Sequence, residues 1–186
     1  DVKSKIDTDE ASLAEILCMV DVSGSMYGIP VEVAIGLSII ITQCSHESLR
    51  DLVITFESNP KWHNLSSLTG FCDKVASLRT SASDMGTTDF DKPMDLIIDL
   101  IRTRKLPREA IPKYLLVLSD MQFDQARSSY SYGYGGSQSA SWSTAYERIV
   151  MKFAALGREM YGEAIDPPTI VFWNIRSDTV GHVAQA

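Results

Sequence analysis

Residues 16–28 read ILCMVDVSGSMYG. The unbroken apolar run from Ile16 to Val20 has the length and character of a strand buried on both faces of a parallel sheet. It stops at one carboxylate and two hydroxyls set at alternate positions, Asp21, Ser23 and Ser25. Alternate residues of an extended turn point the same way, so these three side chains can converge on one point. Pro30 suits the first turn of a helix, and the stretch from there to Cys44 is apolar nearly all round, which predicts a deeply buried helix.

The same alternation continues outward. Leu52-Val-Ile-Thr-Phe56 reads as a second strand, and Lys61 to Leu65 as a short strand paired with it across the turn at Ser58-Asn-Pro60. A helix is expected near Leu68 to Leu78, after which SASDMGTTD breaks the pattern with small and polar residues. From Asp89 to Thr103 the apolar residues Phe90, Met94, Ile97, Ile98 and Ile101 follow helical spacing, with Pro93 in the first turn. Tyr114 to Leu118 is another buried strand, ending at Ser119-Asp120. A helix follows with Tyr146, Ile149, Val150, Phe153 and Met160 on one face, and Thr144-x-x-Glu147 as a capping box at its start. Thr169 to Trp173 is the last clear strand. Strands alternating with helices predict an α/β fold with three layers, α/β/α, built on a mostly parallel central sheet with one short antiparallel edge strand.

In 186 residues this makes a single domain, 1–186. With 45% apolar and 22% charged residues the balance is that of a globular protein, and the longest strongly apolar stretch falls far short of the roughly 20 residues that cross a bilayer. No membrane association is expected. The N-terminal DVKSKIDTDE has no apolar segment after its charges and does not read as a signal peptide. Three cysteines, Cys18, Cys44 and Cys72, sit in apolar-patterned segments and are expected to be buried free thiols of an intracellular, reducing compartment. A net charge of −7 works against nucleic acid and anionic lipid as partners. The basic cluster Arg102, Arg104, Lys105 and Arg108 falls where a helix should end, and complements its C-terminus.

Ligands of open α/β sheets bind outside the carboxyl ends of the strands. Three polar turns meet at that end: Asp21 to Ser25, Gly86 to Asp89, and Ser119-Asp120. Their donors are all oxygens and so suit a hard cation such as Mg2+, which keeps several water ligands. In this order and at these strand ends, DVSGS, a threonine in a small-residue loop and a later aspartate resemble the metal-ion-dependent adhesion site of von Willebrand factor A (vWA) domains, over about Glu15 to Trp173. Gly86-Thr-Thr88-Asp89-Phe90 with Pro93-Met94 is similar in register to the vWA half of Ro/TROVE RNA-binding proteins, which selects Thr88 over Thr87. The LSDMQFDQA and FWNIR stretches are similar to a vWA region found in plants, fungi and large viruses.

The resemblance implies a Rossmann-like vWA fold and a site of Asp21, Ser23, Ser25, Thr88 and Asp120. Ser23 and Ser25 would be direct ligands and Thr88 a direct or water-bridged one. Asp21 and Asp120 would hold coordinating waters and the serines in place. It implies Mg2+, with Mn2+ or Ca2+ as the other candidates, and a protein partner whose carboxylate completes the shell, not an enzyme. The chain stops soon after its fifth strand, so the final strand and helix usual in this fold are expected to be missing.

Met26, Met85 and Met121 flank the three loops and either form a soft apolar rim for a partner or pack beneath the loops. Residues 128–143, SSYSYGYGGSQSASWS, read as a flexible insertion. The alternative is that Tyr130, Tyr132, Tyr134 and Trp142 make an adaptable rim beside the site. The Ro-like register leaves a second function open, a ribonucleoprotein-associated domain, although this acidic chain is not itself expected to hold RNA. A third, a Mg-dependent phosphatase using Asp21 as nucleophile, meets Ser23 where such enzymes resemble D-x-D and need an acid/base carboxylate.

Overall fold

The computed structural model describes residues 13–56, 59–79, 90–120 and 138–176, with 138–145 described as backbone alone. The stretch Ile16–Asp21 forms β1 at the centre of the sheet. It is flanked by β2 (Leu52–Phe56) and β4 (Tyr114–Ser119), and the edges are β3 (Lys61–Asn64) and β5 (Thr169–Asn174), in the order β3-β2-β1-β4-β5. Every pairing is parallel except β2 with β3, a hairpin in which Leu52 faces Asn64. The described helices are α1 (Ile29–Cys44), α2 (Phe71–Arg79), α3 (Asp91–Arg104) and α4 (Gln138–Tyr161).

Successive strand residues point to opposite faces, and here both faces are covered. Leu17 and Met19 of β1, Ile54 of β2, and Leu115 and Val117 of β4 turn toward Met94, Ile97 and Ile101 of α3 and Ile149, Phe153 and Leu156 of α4. Their neighbours Cys18, Val20, Val53, Leu116 and Leu118 turn the other way, onto Ala34, Ile35 and Ile39 of α1 and Leu78 of α2. The result is the three-layer α/β/α arrangement, with burial of each such side chain contributing about 1.5–3 kcal/mol. Phe90 is stacked on Phe56 at 5.3 Å and meets Phe172 edge-on at 5.7 Å, so the chain enters α3 at the carboxyl ends of β2 and β5.

Some expectations are corrected. Helix α1 is buried along one face only: Ala34, Ile35, Ser38, Ile39 and Thr42 face the sheet, while Ile29, Val33 and Ile40 are exposed. Ser38 and Thr42 can occupy the buried face because their hydroxyls donate to the carbonyls of Ile35 and Leu52, at 2.8 and 3.0 Å. Helix α4 starts at Gln138, upstream of the Thr144 to Glu147 capping box, and takes in 138–143 of the expected insertion. Extending a formed helix costs far less than nucleating one, and Ala and Ser upstream oppose it little. Residues 128–137 lie outside the described set. On α4, Tyr146 is exposed, and Leu156 takes its place in the core. Gly157 is required there, because a Cβ would sit 2.5 Å from the Ile165 nitrogen and 2.6 Å from the Glu163 carbonyl oxygen. Cys18 is buried, but Cys44 and Cys72 are exposed.

Pro93 does lie in the first turn of α3. That helix ends at Lys105 in the left-handed region (φ 49°), with Arg102 and Arg104 in its last turn. Among the described residues no helix is long and apolar enough to cross a membrane.

Candidate functional site

The chain passes from β1 outward to β2 on one side of the sheet, and β4 enters on the other. The loops leaving β1 and β4 therefore part at their carboxyl ends, and such a reversal of strand order opens a crevice. Asp21 ends β1 and Ser119 ends β4, and the register that pairs Val20 with Leu118 makes them neighbours.

Both carboxylates of the site are almost wholly buried, Asp21 at 3% exposure and Asp120 at 1%. The Ser119 hydroxyl donates to Asp21 Oδ2 at 2.6 Å, and the Ser23 backbone N–H donates to Oδ1 at 2.9 Å. Burial raises the Asp21 carboxyl above its ordinary value. The hydrogen bonds from Ser119 and Ser23 pull it back down, and the neighbouring Asp120 charge adds to the rise. Two like charges thus share a poorly solvated corner, an arrangement that attracts a cation.

Ser23 is extended (φ −63°, ψ 162°), and the following residues Gly24–Met26 make a single 3-10 turn closed by the Met26 N–H on the Ser23 carbonyl at 3.0 Å. The turn folds Ser25 back, so that the hydroxyls of Ser23 and Ser25 lie 3.0 Å apart. Gly28, at φ +91°, then reverses the chain into α1, a conformation that disfavours any residue with a Cβ. The same turn sends Met26 inward to full burial in one cluster with Val22, Ala34 and Ile35, so of its two expected roles it takes packing beneath the loop and not the rim. Tyr27 and Ile29, 90% and 79% exposed, stand at the surface instead.

A residue from the far end of the chain completes the corner. The parallel ladder runs one step past β5, with the Ile175 N–H on the Ser119 carbonyl at 2.9 Å. The Asn174 side chain accepts the Arg176 N–H at 3.0 Å. So directed, Arg176 Nη1 donates to the Ser25 carbonyl at 3.2 Å and lies 3.8 Å from Asp120 Oδ2.

Of the expected site, Asp21, Ser23, Ser25 and Asp120 are therefore brought to one corner. Thr88, Met85, Met121, Tyr130, Tyr132 and Tyr134 lie outside the described residues, as does the side chain of Trp142. Sequence reasoning assigned no role to Ser119 or Arg176. A hydroxyl closing the otherwise apolar run of β4 was a usable signal for the first; nothing local marked the second. Among the described residues no group of three or more His, Cys, Asp or Glu side chains is placed to hold a metal. A groove lined by Glu15, Lys113, Tyr114 and Thr169 lies at the amino ends of the strands, away from this corner.

Fold and site together define a three-layer α/β/α domain whose polar side chains meet where the strand order of a mostly parallel sheet reverses. Residues 15–186 match the family model described as a domain of unknown function, DUF7788, and the chain belongs to that family. It is also similar to the "Uncharacterized protein L728" of Acanthamoeba polyphaga mimivirus, with 30% identity over 170 residues, covering 91% of this chain and 26% of the viral protein. The chain thus spans about a quarter of the length of that relative.

Proposed function

We propose that the domain is a divalent-cation-dependent protein-interaction module of the vWA type, which takes an acidic group of a partner at the carboxyl end of its sheet. The observation that carries this reading is the pair of serine hydroxyls 3.0 Å apart, set beside two buried carboxylates. A capped turn would explain one hydroxyl but leaves the converging pair and the cost of burying Asp21 beside Asp120 without a purpose.

The donor set fits Mg2+ in chemistry: hydroxyl and carboxylate oxygens, with no sulfur or imidazole. Ser23 and Ser25, with Thr88, would hold the ion, and Asp21 and Asp120 would orient its waters from behind. Such an ion, kept electrophilic by neutral hydroxyl ligands, supplies a position for a carboxylate from outside. The chain's own residues do the positioning. Ser119 fixes the Asp21 carboxylate, and Asp21 in turn pins the Ser23 amide, so the loop is organised before any ligand arrives. Mn2+ fits the same donors and Ca2+ less tightly.

Calorimetric titration with Mg2+ or Mn2+ tests the reading. Wild type is expected to give a saturable heat that the Ser23→Ala/Ser25→Ala variant lacks; equal heats from the two proteins would reject the site.

A further inference from the structure

We propose that Arg176 is a resident cation of this corner: its guanidinium offsets the buried Asp120 charge beside Asp21 in the metal-free molecule, and a divalent ion binds only in competition with it. The part concerning metal rests on the function proposed above; the part concerning charge balance does not.

Three observations carry the inference. Arg176 is aimed rather than loosely placed, because Ile175 is tied to Ser119 and the Asn174 side chain holds the Arg176 amide. Its guanidinium links two of the site's loops, through the Ser25 carbonyl on one side and the Asp120 carboxylate on the other. Its side chain keeps 28% exposure against 1% for Asp120, so it has a route out to solvent that the carboxylate lacks.

A buried pair of like charges needs a counter-charge, and leaving one uncompensated is strongly destabilising. The guanidinium supplies it. A divalent ion beside Ser23 and Ser25 would bring a second and larger positive charge within a few ångströms of the first, where the two repel. Entry of the ion then requires Arg176 to swing outward, which also releases the Ser25 carbonyl. Arg176 is thus a latch that sets how tightly the site takes a metal, and it leaves a freed guanidinium near the place where a partner carboxylate would arrive.

The experiment compares wild type, Arg176→Gln, Asp120→Asn and the double variant, by thermal unfolding in chelator and by Mn2+ calorimetry. Gln removes the charge and leaves a polar amide on a shorter side chain. Arg176→Gln is expected to melt below wild type without metal, to lose most of that deficit in the Asp120→Asn background, and to bind Mn2+ at least tenfold more tightly than wild type. A deficit that is equal in both backgrounds, or Mn2+ affinity equal to or below that of wild type, would overturn the proposal. Absence of Mn2+ heat from every variant, with the Arg176–Asp120 coupling intact, would reject the metal reading but support Arg176 as the site's own cation. Should Arg176→Gln fail to fold, Arg176→Lys is decisive. It retains the charge and is expected to keep wild-type Mn2+ affinity, so a tenfold gain there would refute the latch.

Discussion

Removing the Ser119 hydroxyl tests whether the corner is built around an ionised Asp21. In Ser119→Ala the buried Oδ2 loses its 2.6 Å donor while the carboxylate stays at 3% exposure. A hydrogen bond to a charged group contributes about 1.5–3 kcal/mol, so a loss of about 2 kcal/mol is expected, or roughly 4–8 °C in Tm for a domain of this size. The sign of the pH dependence follows from the carboxyl's raised folded value. Between the unfolded and folded values the native state holds more protons, so this group's share of stability is present below the unfolded value and is lost as pH rises through the folded one. Ser119 opposes that rise, so its removal enlarges the loss. The deficit of Ser119→Ala should therefore be full well above the raised folded value and shrink as pH falls through it and Asp21 takes up its proton. Urea unfolding of both proteins across this range, without divalent ions, measures the difference directly. A deficit below about 0.5 kcal/mol, or one that does not change with pH, would refute the account of Ser119 as the hydroxyl that keeps Asp21 ionised.

Two further outcomes follow from packing. Gly157→Ala should destabilise by about 1–3 kcal/mol in urea unfolding, because the new methyl meets backbone that must shift; an unchanged midpoint would contradict the close approach of α4 to the 163–165 segment. In native protein, alkylation read by mass spectrometry should modify Cys44 and Cys72 and spare Cys18, whose thiol burial pushes up to about 12. All three should react in denaturant, and early labelling of Cys18 would mean that β1 is not sealed beneath α1.

Where apolar runs end at turn residues, strand positions were legible. Ile16 to Val20, Leu52 to Phe56 and Tyr114 to Leu118 all became strands, and Leu52 to Phe56 did pair antiparallel with Lys61 to Asn64, while Ser58 of the expected turn lies outside the described residues. A run of apolar residues says that a segment is buried somewhere, but not which of its sides. Helix α1 shows the difference: its excess of isoleucine predicted burial all round, yet Ser38 and Thr42 took the inner face through hydrogen bonds to nearby carbonyls, leaving Ile29 and Ile40 outside. The start of α4 was missed for a related reason. A capping box marks one place where a helix can begin, and small residues upstream let it begin earlier.

The site divides along the same line. Asp21, Ser23 and Ser25 fall within one turn, so their convergence depends on local backbone geometry that spacing reveals. Ser119 needed the register between β1 and β4. Arg176 needed more: a second parallel pairing, β4 with β5, followed by a side-chain turn at Asn174 that aims a residue 151 positions away from Ser25 at its carbonyl. No local pattern encodes that meeting, and its effect on charge is large. Read alone, the three-loop motif describes two buried acids and a set of hydroxyls, a corner with excess negative charge. With Arg176 in place part of that charge is already offset at Asp120, so under the proposed latch affinity for an ion would be set by competition as well as by the ligand set. On the proposed reading the motif residues would specify which ion can be held, and the long-range contact would govern how readily it is admitted.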